Sequence, residues 1–217
     1  VFERVYLKNP STQNSNSVTP KTSVRVKEAE LRLPEFYDTV KTLDQTVDVD
    51  YYLPGCPPPA DLVAKAVEAI AKNELPPPGS VLAPENSVCD ECLRKKEKKR
   101  IQQIYRVYEI IPEPEKCLLE QGILCTGPAT RGGCKAQCIS ANMPCTGCGG
   151  PCPNEIEQGA AMISALSSIL GLEEEKEKTY DAEKLVSQIK DLIGTFYRYS
   201  LPASILRRRV VRWVNQE

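Results

Sequence analysis

Nine of the ten cysteines fall between Cys89 and Cys152, and this crowding constrains the chain more than any other feature. Their spacings are Cys89-x-x-Cys92, then Cys117 and Cys125, then Cys134-x3-Cys138, Cys145-x-x-Cys148, and Cys152. Two cysteines separated by two residues direct both thiolates to one point through a tight turn. Eight of the nine sort, in order, into two sets of four. Four thiolates suit a 4Fe-4S cluster or a tetrahedral zinc, and suit a disulfide framework less well in a chain with no secretory signal.

The residues between the cysteines favour iron-sulfur chemistry. Gly122, Gly127-Pro128, Gly132-Gly133, Pro144, Gly147 and Gly149-Gly150-Pro151 surround the thiols, so the backbone approaches closely and aims N–H groups at inorganic sulfides. A thiolate-bound cluster is anionic, and Arg94-Lys95-Lys96 with Lys98-Lys99-Arg100 follow Cys92 directly. That run either offsets the buried negative charge or is a solvated basic helix face. Histidine is absent altogether. Its absence excludes Ser-His-Asp and Cys-His nucleophilic catalysis, and zinc sites that need imidazole.

The chain of 217 residues is 41% apolar and 26% charged, which excludes disorder and allows a real core. Its 28 basic and 29 acidic residues leave a net charge of -1, so nothing chain-wide draws it to nucleic acid or anionic lipid. No apolar run approaches the roughly 18 residues that span a bilayer. Val1-Phe2-Glu3-Arg4-Val5 carries neither an initiator Met nor the layout of a signal peptide, so the chain reads as soluble and as a fragment.

Asn9 to Ser17 is polar and loop-like. Pro34 sits in the first turn of a short predicted helix carrying Phe36, Tyr37 and Val40. Val47, Val49, Tyr51 and Leu53 alternate with polar residues as in a strand, stopped at Pro54-Gly55-Cys56. A helix over 60–72 follows, with Leu62, Val63, Ala66, Val67 and Ile70 on one face. Cys56 therefore lies on a strand-to-helix loop, the kind that gathers at the carboxyl edge of an α/β sheet. Leu75 to Gly79 reads as a stiff linker and a boundary. Further helices are predicted over 95–111 (Ile101, Ile104, Tyr105, Tyr108), 154–170, 181–193 with Gly194 as its stop, and 202–214. Glu173-Glu174-Glu175 reads as a solvated linker, and Arg207-Arg208-Arg209 beside Trp213 as a docking helix or a tail packed on its own subunit.

At Tyr51-Tyr52-Leu53-Pro54-Gly55-Cys56-Pro57-Pro58, at Gly127 to Cys138, and at Pro144-Cys145-Thr146-Gly147-Cys148-Gly149-Gly150-Pro151, the chain resembles the small subunit of nickel-iron hydrogenases. The resemblance covers the whole chain and extends to Gly194 through Pro202; it points most nearly to the cytoplasmic methyl-viologen-reducing type of methanogens. It implies a line of proximal, medial and distal clusters that carries electrons away from a nickel-iron centre in a large subunit. Cys56 matches a proximal ligand. Cys89, Cys92, Cys117 and Cys125 match the distal set, with Cys89 where many members have His. Cys134, Cys138, Cys145 and Cys148 match the medial set, and Cys138 supplies the fourth ligand that makes it 4Fe-4S. Such small subunits begin with a flavodoxin-like half that supplies the other proximal cysteines, and none of it precedes Val1.

The expected architecture is α+β: a flavodoxin-like remnant over 1–79, a loop-rich two-cluster domain over 80–153, and a helical tail over 154–217. The expected role is electron conduction through 4Fe-4S clusters in a cytoplasmic complex. Its expected partners are a nickel-iron large subunit and a heterodisulfide reductase-type acceptor, with no catalytic acid, base or nucleophile on this chain. The alternatives are a deazaflavin-reducing, sulfur-reducing or NADP-linked hydrogenase, and a zinc-stabilised assembly module. Cys152 belongs to neither set; it is a spare buried thiol or exchanges with Cys138 as a ligand.

Overall fold

The computed structural model describes residues 5, 8, 10, 21–34, 37, 39–97, 101–170 and 182–207. It divides into two compact units, Val1–Lys41 and Thr42–Glu217. In the first, β1 (Ser23–Arg25) pairs antiparallel with β2 (Glu30–Arg32), placing Val24 opposite Leu31. Val26 N–H donates to the Ala29 carbonyl at 2.9 Å across the turn. The helix expected after Pro34 does not reach Tyr37 or Val40, which lie in irregular, exposed backbone, while Phe36 lies outside the described residues.

In the second unit the strand expected from Val47 shrinks to β3 (Tyr51–Tyr52). The reason is local: a 3-10 turn over Leu43–Gln45 draws the Val47 N–H to the Leu43 carbonyl at 2.9 Å, so that backbone is spent on a turn and not on a ladder. β3 pairs parallel with β4 (Ser80–Val81), Tyr51 opposite Ser80, across α1 (Ala60–Lys72). This strand-helix-strand crossover is the unit of α/β sheets. α1 ends at Asn73, whose left-handed φ of 55° lets its N–H reach back to Ala69 and Ile70. Of its apolar face only Leu62 is buried; Val63, Val67 and Ile70 are exposed.

From Pro84 to Glu157 the chain is mostly loop, with α2 (Val88–Glu91) and α3 (Gln137–Ser140) as short helices. The helix expected over 95–111 is absent from the described part of that stretch; residues 98–100 lie outside it. Lys95 instead bridges to Lys116 and Tyr105 to Ile123, with the Tyr105 N–H on the Gly122 carbonyl at 2.8 Å. Ile101 and Ile104 are buried in this irregular backbone, and the Ile104 N–H is taken up by the Gln188 side chain at 2.7 Å.

The tail holds α4 (Gln158–Leu170), α5 (Ala182–Ser187) and α6 (Leu192–Phe196). α4 begins at Gln158, not at 154. Gly194 does not stop a helix but lies inside α6, because the Asp191 carboxylate accepts its N–H at 2.8 Å and starts a new turn there. In the described part of the helix expected over 202–214, two 3-10 turns stand instead, Leu201–Ala203 and Ile205–Arg207. Glu157 fixes the second of these by accepting from Ser204 Oγ at 3.1 Å and Ile205 N–H at 2.5 Å. Arg208, Arg209, Trp213 and the Glu173–Glu175 run lie outside the described residues.

Loops and tail share one core, in which Ile101, Leu118 and Ile123 join Met162, Leu166 and Phe196. The Tyr197 ring lies on the backbone of Gly159, where a Cβ would overlap it. Among the described residues no helix is long and apolar enough to cross a membrane.

Candidate cluster sites

The first group of thiols is assembled from separate segments. Cys89 sits on α2, which opens with a capping arrangement in which the Ser87 N–H and Oγ both donate to Asp90 Oδ2 at 2.8 Å. Cys92 closes that turn, its N–H on the Cys89 carbonyl at 3.4 Å. Cys117 is held by the Lys95 ladder, donating its N–H to the Lys95 carbonyl at 2.9 Å. Gln121 steadies the same loop by donating to Lys116 and Glu113 carbonyls at 3.0 and 3.2 Å. Burial pushes the Cys89 thiol up to about 12, against the pull of Lys96, and the nearby Cys125, Cys117 and Cys92 add to the rise. Those four thiols are thus electrostatic neighbours in space. Gly127 packs between two of them: a Cβ there would stand 3.2 Å from Cys89 Sγ and 3.6 Å from Cys125 Sγ.

The second group comes from one continuous loop. Cys134, Cys138, Cys145 and Cys148 line a cavity of about 480 Å³, and Cys56 lines the same cavity. Burial raises the Cys148 thiol, opposed by the backbone N–H of Cys56, with Cys145, Cys134 and Cys138 adding to the rise. Cys134 is likewise raised by burial and opposed by the N–H groups of Ala136 and Gln137. Lys135 and Ala136 both hold positive φ, 54° and 50°. Two successive residues in this region are strained, and beyond Lys135 the Ala136 and Gln137 N–H groups face the Cys134 sulfur.

The two groups abut. Burial pushes the Cys125 thiol up to about 12 against the N–H groups of Gly127 and Cys145. The Cys145 N–H donates to Cys125 Sγ at 3.3 Å, while Thr126 N–H and Oγ1 both donate to the Cys145 carbonyl at 3.0 and 2.9 Å. Cys152 donates its S–H to the Pro128 carbonyl at 3.7 Å; burial raises its thiol, opposed by Arg131, with Glu155, Asp90 and Cys145 adding to the rise.

Three side chains that the cysteine spacing did not single out as structural supports hold these loops. Gln158, buried at the start of α4, donates to the Gly147 and Gly150 carbonyls at 3.0 Å and to Thr130 Oγ1 at 3.2 Å. The Glu91 carboxylate, between Cys89 and Cys92 in sequence, accepts the N–H groups of Gly133 and Lys135 at 2.6 and 2.7 Å, on either side of Cys134. Arg94 is not part of a solvated face but is buried, donating to four carbonyl-type oxygens. Its neighbours Lys95 and Lys96 are exposed. The only signal in the sequence for Gln158 and Glu91 is their proximity to the cysteines along the chain.

Among the described residues no three Cys, Asp or Glu side chains stand close enough to hold a single metal ion. The second group surrounds a volume, not a point. Soft thiols around such a volume, with backbone N–H groups aimed at sulfur, are a donor set that fits an iron-sulfur cluster.

No protein-family model matches the chain. It is 42% identical over 217 residues to the F420-non-reducing hydrogenase iron-sulfur subunit of Archaeoglobus profundus, covering 98% of this chain and 66% of that one. It is 47% identical over 124 residues to the corresponding F420-non-reducing hydrogenase subunit of Methanothermus fervidus, covering 56% of this chain and 96% of that one. With the sulfhydrogenase 2 subunit delta of Pyrococcus furiosus it shares 34% identity over 134 residues, 62% of this chain and 46% of that one. The chain thus spans just under two thirds of the Archaeoglobus relative's length.

Proposed function

This chain belongs to the family of F420-non-reducing hydrogenase iron-sulfur subunits, and on that premise we propose that it is the electron-conducting small subunit of a cytoplasmic nickel-iron hydrogenase. The carrying observation is that the thiols paired by sequence spacing are also neighbours in space, Cys89 with Cys92, Cys117 and Cys125, and Cys134, Cys138, Cys145 and Cys148 around one cavity. In this reading each set holds a 4Fe-4S cluster, and Cys56 contributes to a third. Bound there, the clusters would supply one-electron carriers.

The chain's own residues do the rest. The thiols hold iron, and the N–H groups of Cys56, Gly127, Ala136, Gln137 and Cys145 stabilise negative charge on sulfur. Burial of Cys125 and Cys145 in the shared core keeps water from those two thiols. The contact between Cys125 and Cys145 brings the two sets within tunnelling reach through a hydrogen bond and one residue's covalent frame. The working division keeps a flavodoxin-like remnant over 1–79, the cluster region over 80–153 and the helical tail over 154–217. Hydrogen is split in a nickel-iron large subunit, and electrons pass from the second set to the first and on to a heterodisulfide reductase-type acceptor. The likeness to a sulfhydrogenase subunit favours a second reading in which the acceptor is a sulfur-reducing module.

Anaerobic co-expression with the large subunit tests the proposal. The expected product is brown, with iron and sulfide for at least two cubanes and reduced-state EPR signals from both. A colourless protein carrying zinc would overturn the cluster reading in favour of an assembly module.

A further inference from the structure

Among the described residues Arg94 is the one charged side chain that is buried, at 8% exposed. One terminal nitrogen of its guanidinium donates to the Glu113 and Lys116 carbonyls at 2.8 and 3.0 Å. The other donates to the Ile139 carbonyl at 3.0 Å and to Asn142 Oδ1 at 2.6 Å. Lys116 precedes Cys117 and Ile139 follows Cys138, so the group stands one peptide from a cysteine of each set and two residues from Cys92. With Cys92, Glu115, Ala136 and Ile139 it lines a hollow of about 430 Å³ beside the first set.

All four acceptors are neutral. Glu113 gives its carboxylate to Lys116 at 2.8 Å and only its backbone carbonyl to Arg94, and Glu115, on the wall of the same hollow, pairs with Lys95 at 3.7 Å. A buried cation is ordinarily paired, because neutral dipoles alone repay its lost hydration poorly. A staple for three loops needs donors but no charge. The chemistry that gives a fixed positive charge a partner here is the anionic, thiolate-bound group expected on either side.

We propose that Arg94 is a positioning residue that places a fixed positive charge between the two cysteine sets and raises the reduction potential of the clusters they hold. The proposal rests on the two-cluster reading of the chain. Taking up one electron adds one unit of negative charge to a cluster, and a nearby cation lowers the energy of that more negative state.

The test is an EPR-monitored redox titration of the whole complex. Arg94→Gln and Arg94→Met remove the charge; Arg94→Lys keeps it and loses the planar fork. At a fixed potential the neutral variants should shift the reduced-to-oxidised ratio of at least one cluster about tenfold toward oxidised, a displacement of about 59 mV for one electron. Arg94→Lys should stay within about threefold of the wild type by the same relation. Ratios unchanged in the neutral variants overturn the proposal, and so does an equal shift in Arg94→Lys, which would assign the effect to geometry. Should the neutral variants lose their clusters, Asn142→Asp decides: it sets a carboxylate against the guanidinium and gives up only the hydrogen bond to the Pro112 carbonyl. A shift toward oxidised supports the proposal and unmoved ratios overturn it. A wild-type complex without cluster signals would instead overturn the reading on which the inference rests.

Discussion

The first thiol group is gathered from α2, the 113–117 loop and Cys125, and it is fixed chiefly by hydrogen bonds among those same segments. The second is laid out along one loop from Cys134 to Cys148, yet much of its support comes from elsewhere: Glu91 on α2, Gln158 on α4 and the backbone of Cys56. The contrast teaches that closeness in sequence and self-sufficiency in structure are different properties. The group whose cysteines are closest together along the chain is the one most dependent on distant side chains. Its wall is also more open, since Cys138 and Cys56 are exposed while no thiol of the first group is.

Four substitutions sharpen or break that contrast. The largest effect is expected from Cys92→Ala, which removes one of four thiolates from the first group. Its cluster signal should vanish and transfer to the natural acceptor collapse, while hydrogen-deuterium exchange at the nickel centre largely survives. Normal acceptor reduction by this variant would show that the first group is not the exit, and equal loss of both activities would assign it to assembly.

Cys138→Pro should leave the second cluster in place but convert it toward a 3Fe-4S centre of higher potential. Cys138 is the second residue of α3, a position where proline is tolerated. An oxidised sample with no new 3Fe-4S signal would exclude Cys138 as a ligand and promote Cys152.

Gln158→Leu removes three hydrogen bonds, while the Gly147 and Gly150 carbonyls keep the Gly150 and Arg131 N–H groups and the Thr130 hydroxyl keeps the Thr126 carbonyl, for a loss of about 1–3 kcal/mol in denaturant unfolding. Because the two carbonyl contacts flank Cys148, cluster retention there should fall by roughly 10–100-fold, as for other outer-shell losses, and by less in the first group, which the third contact reaches only through Thr130. Equal loss from both groups would erase the asymmetry.

The smallest effect is expected from Cys152→Ser. Its S–H makes one long contact, so stability should change by about 1 kcal/mol or less and both cluster signals should remain. Iron loss would place Cys152 among the ligands.

Much of the helical content was legible because period and punctuation are local. α1 matches its expected span, and α4 follows its apolar repeat apart from a later start. The two helices also show where legibility ends. Both have 13 residues, and α1 has the clearer apolar stripe, yet α1 buries only Leu62 while α4 buries Met162, Leu166 and Leu170 together with polar Gln158. A periodic pattern names a face but not what covers it.

By itself the sequence determined the chemistry available to this protein: thiols in two spaced sets, no imidazole, and glycines that let backbone approach sulfur. It also determined the family, through its identity to known members. Only the tertiary structure decided that Ile101 and Ile104 are buried in irregular backbone instead of on a helix, and that Arg94 leaves its basic run to enter the interior. The physical reason is the same in each case. The partners are remote in sequence, Ile104 finding Gln188 and Arg94 finding Ile139 and Asn142. Local propensity cannot weigh hydrogen bonds and burial that exist only once those distant segments have met.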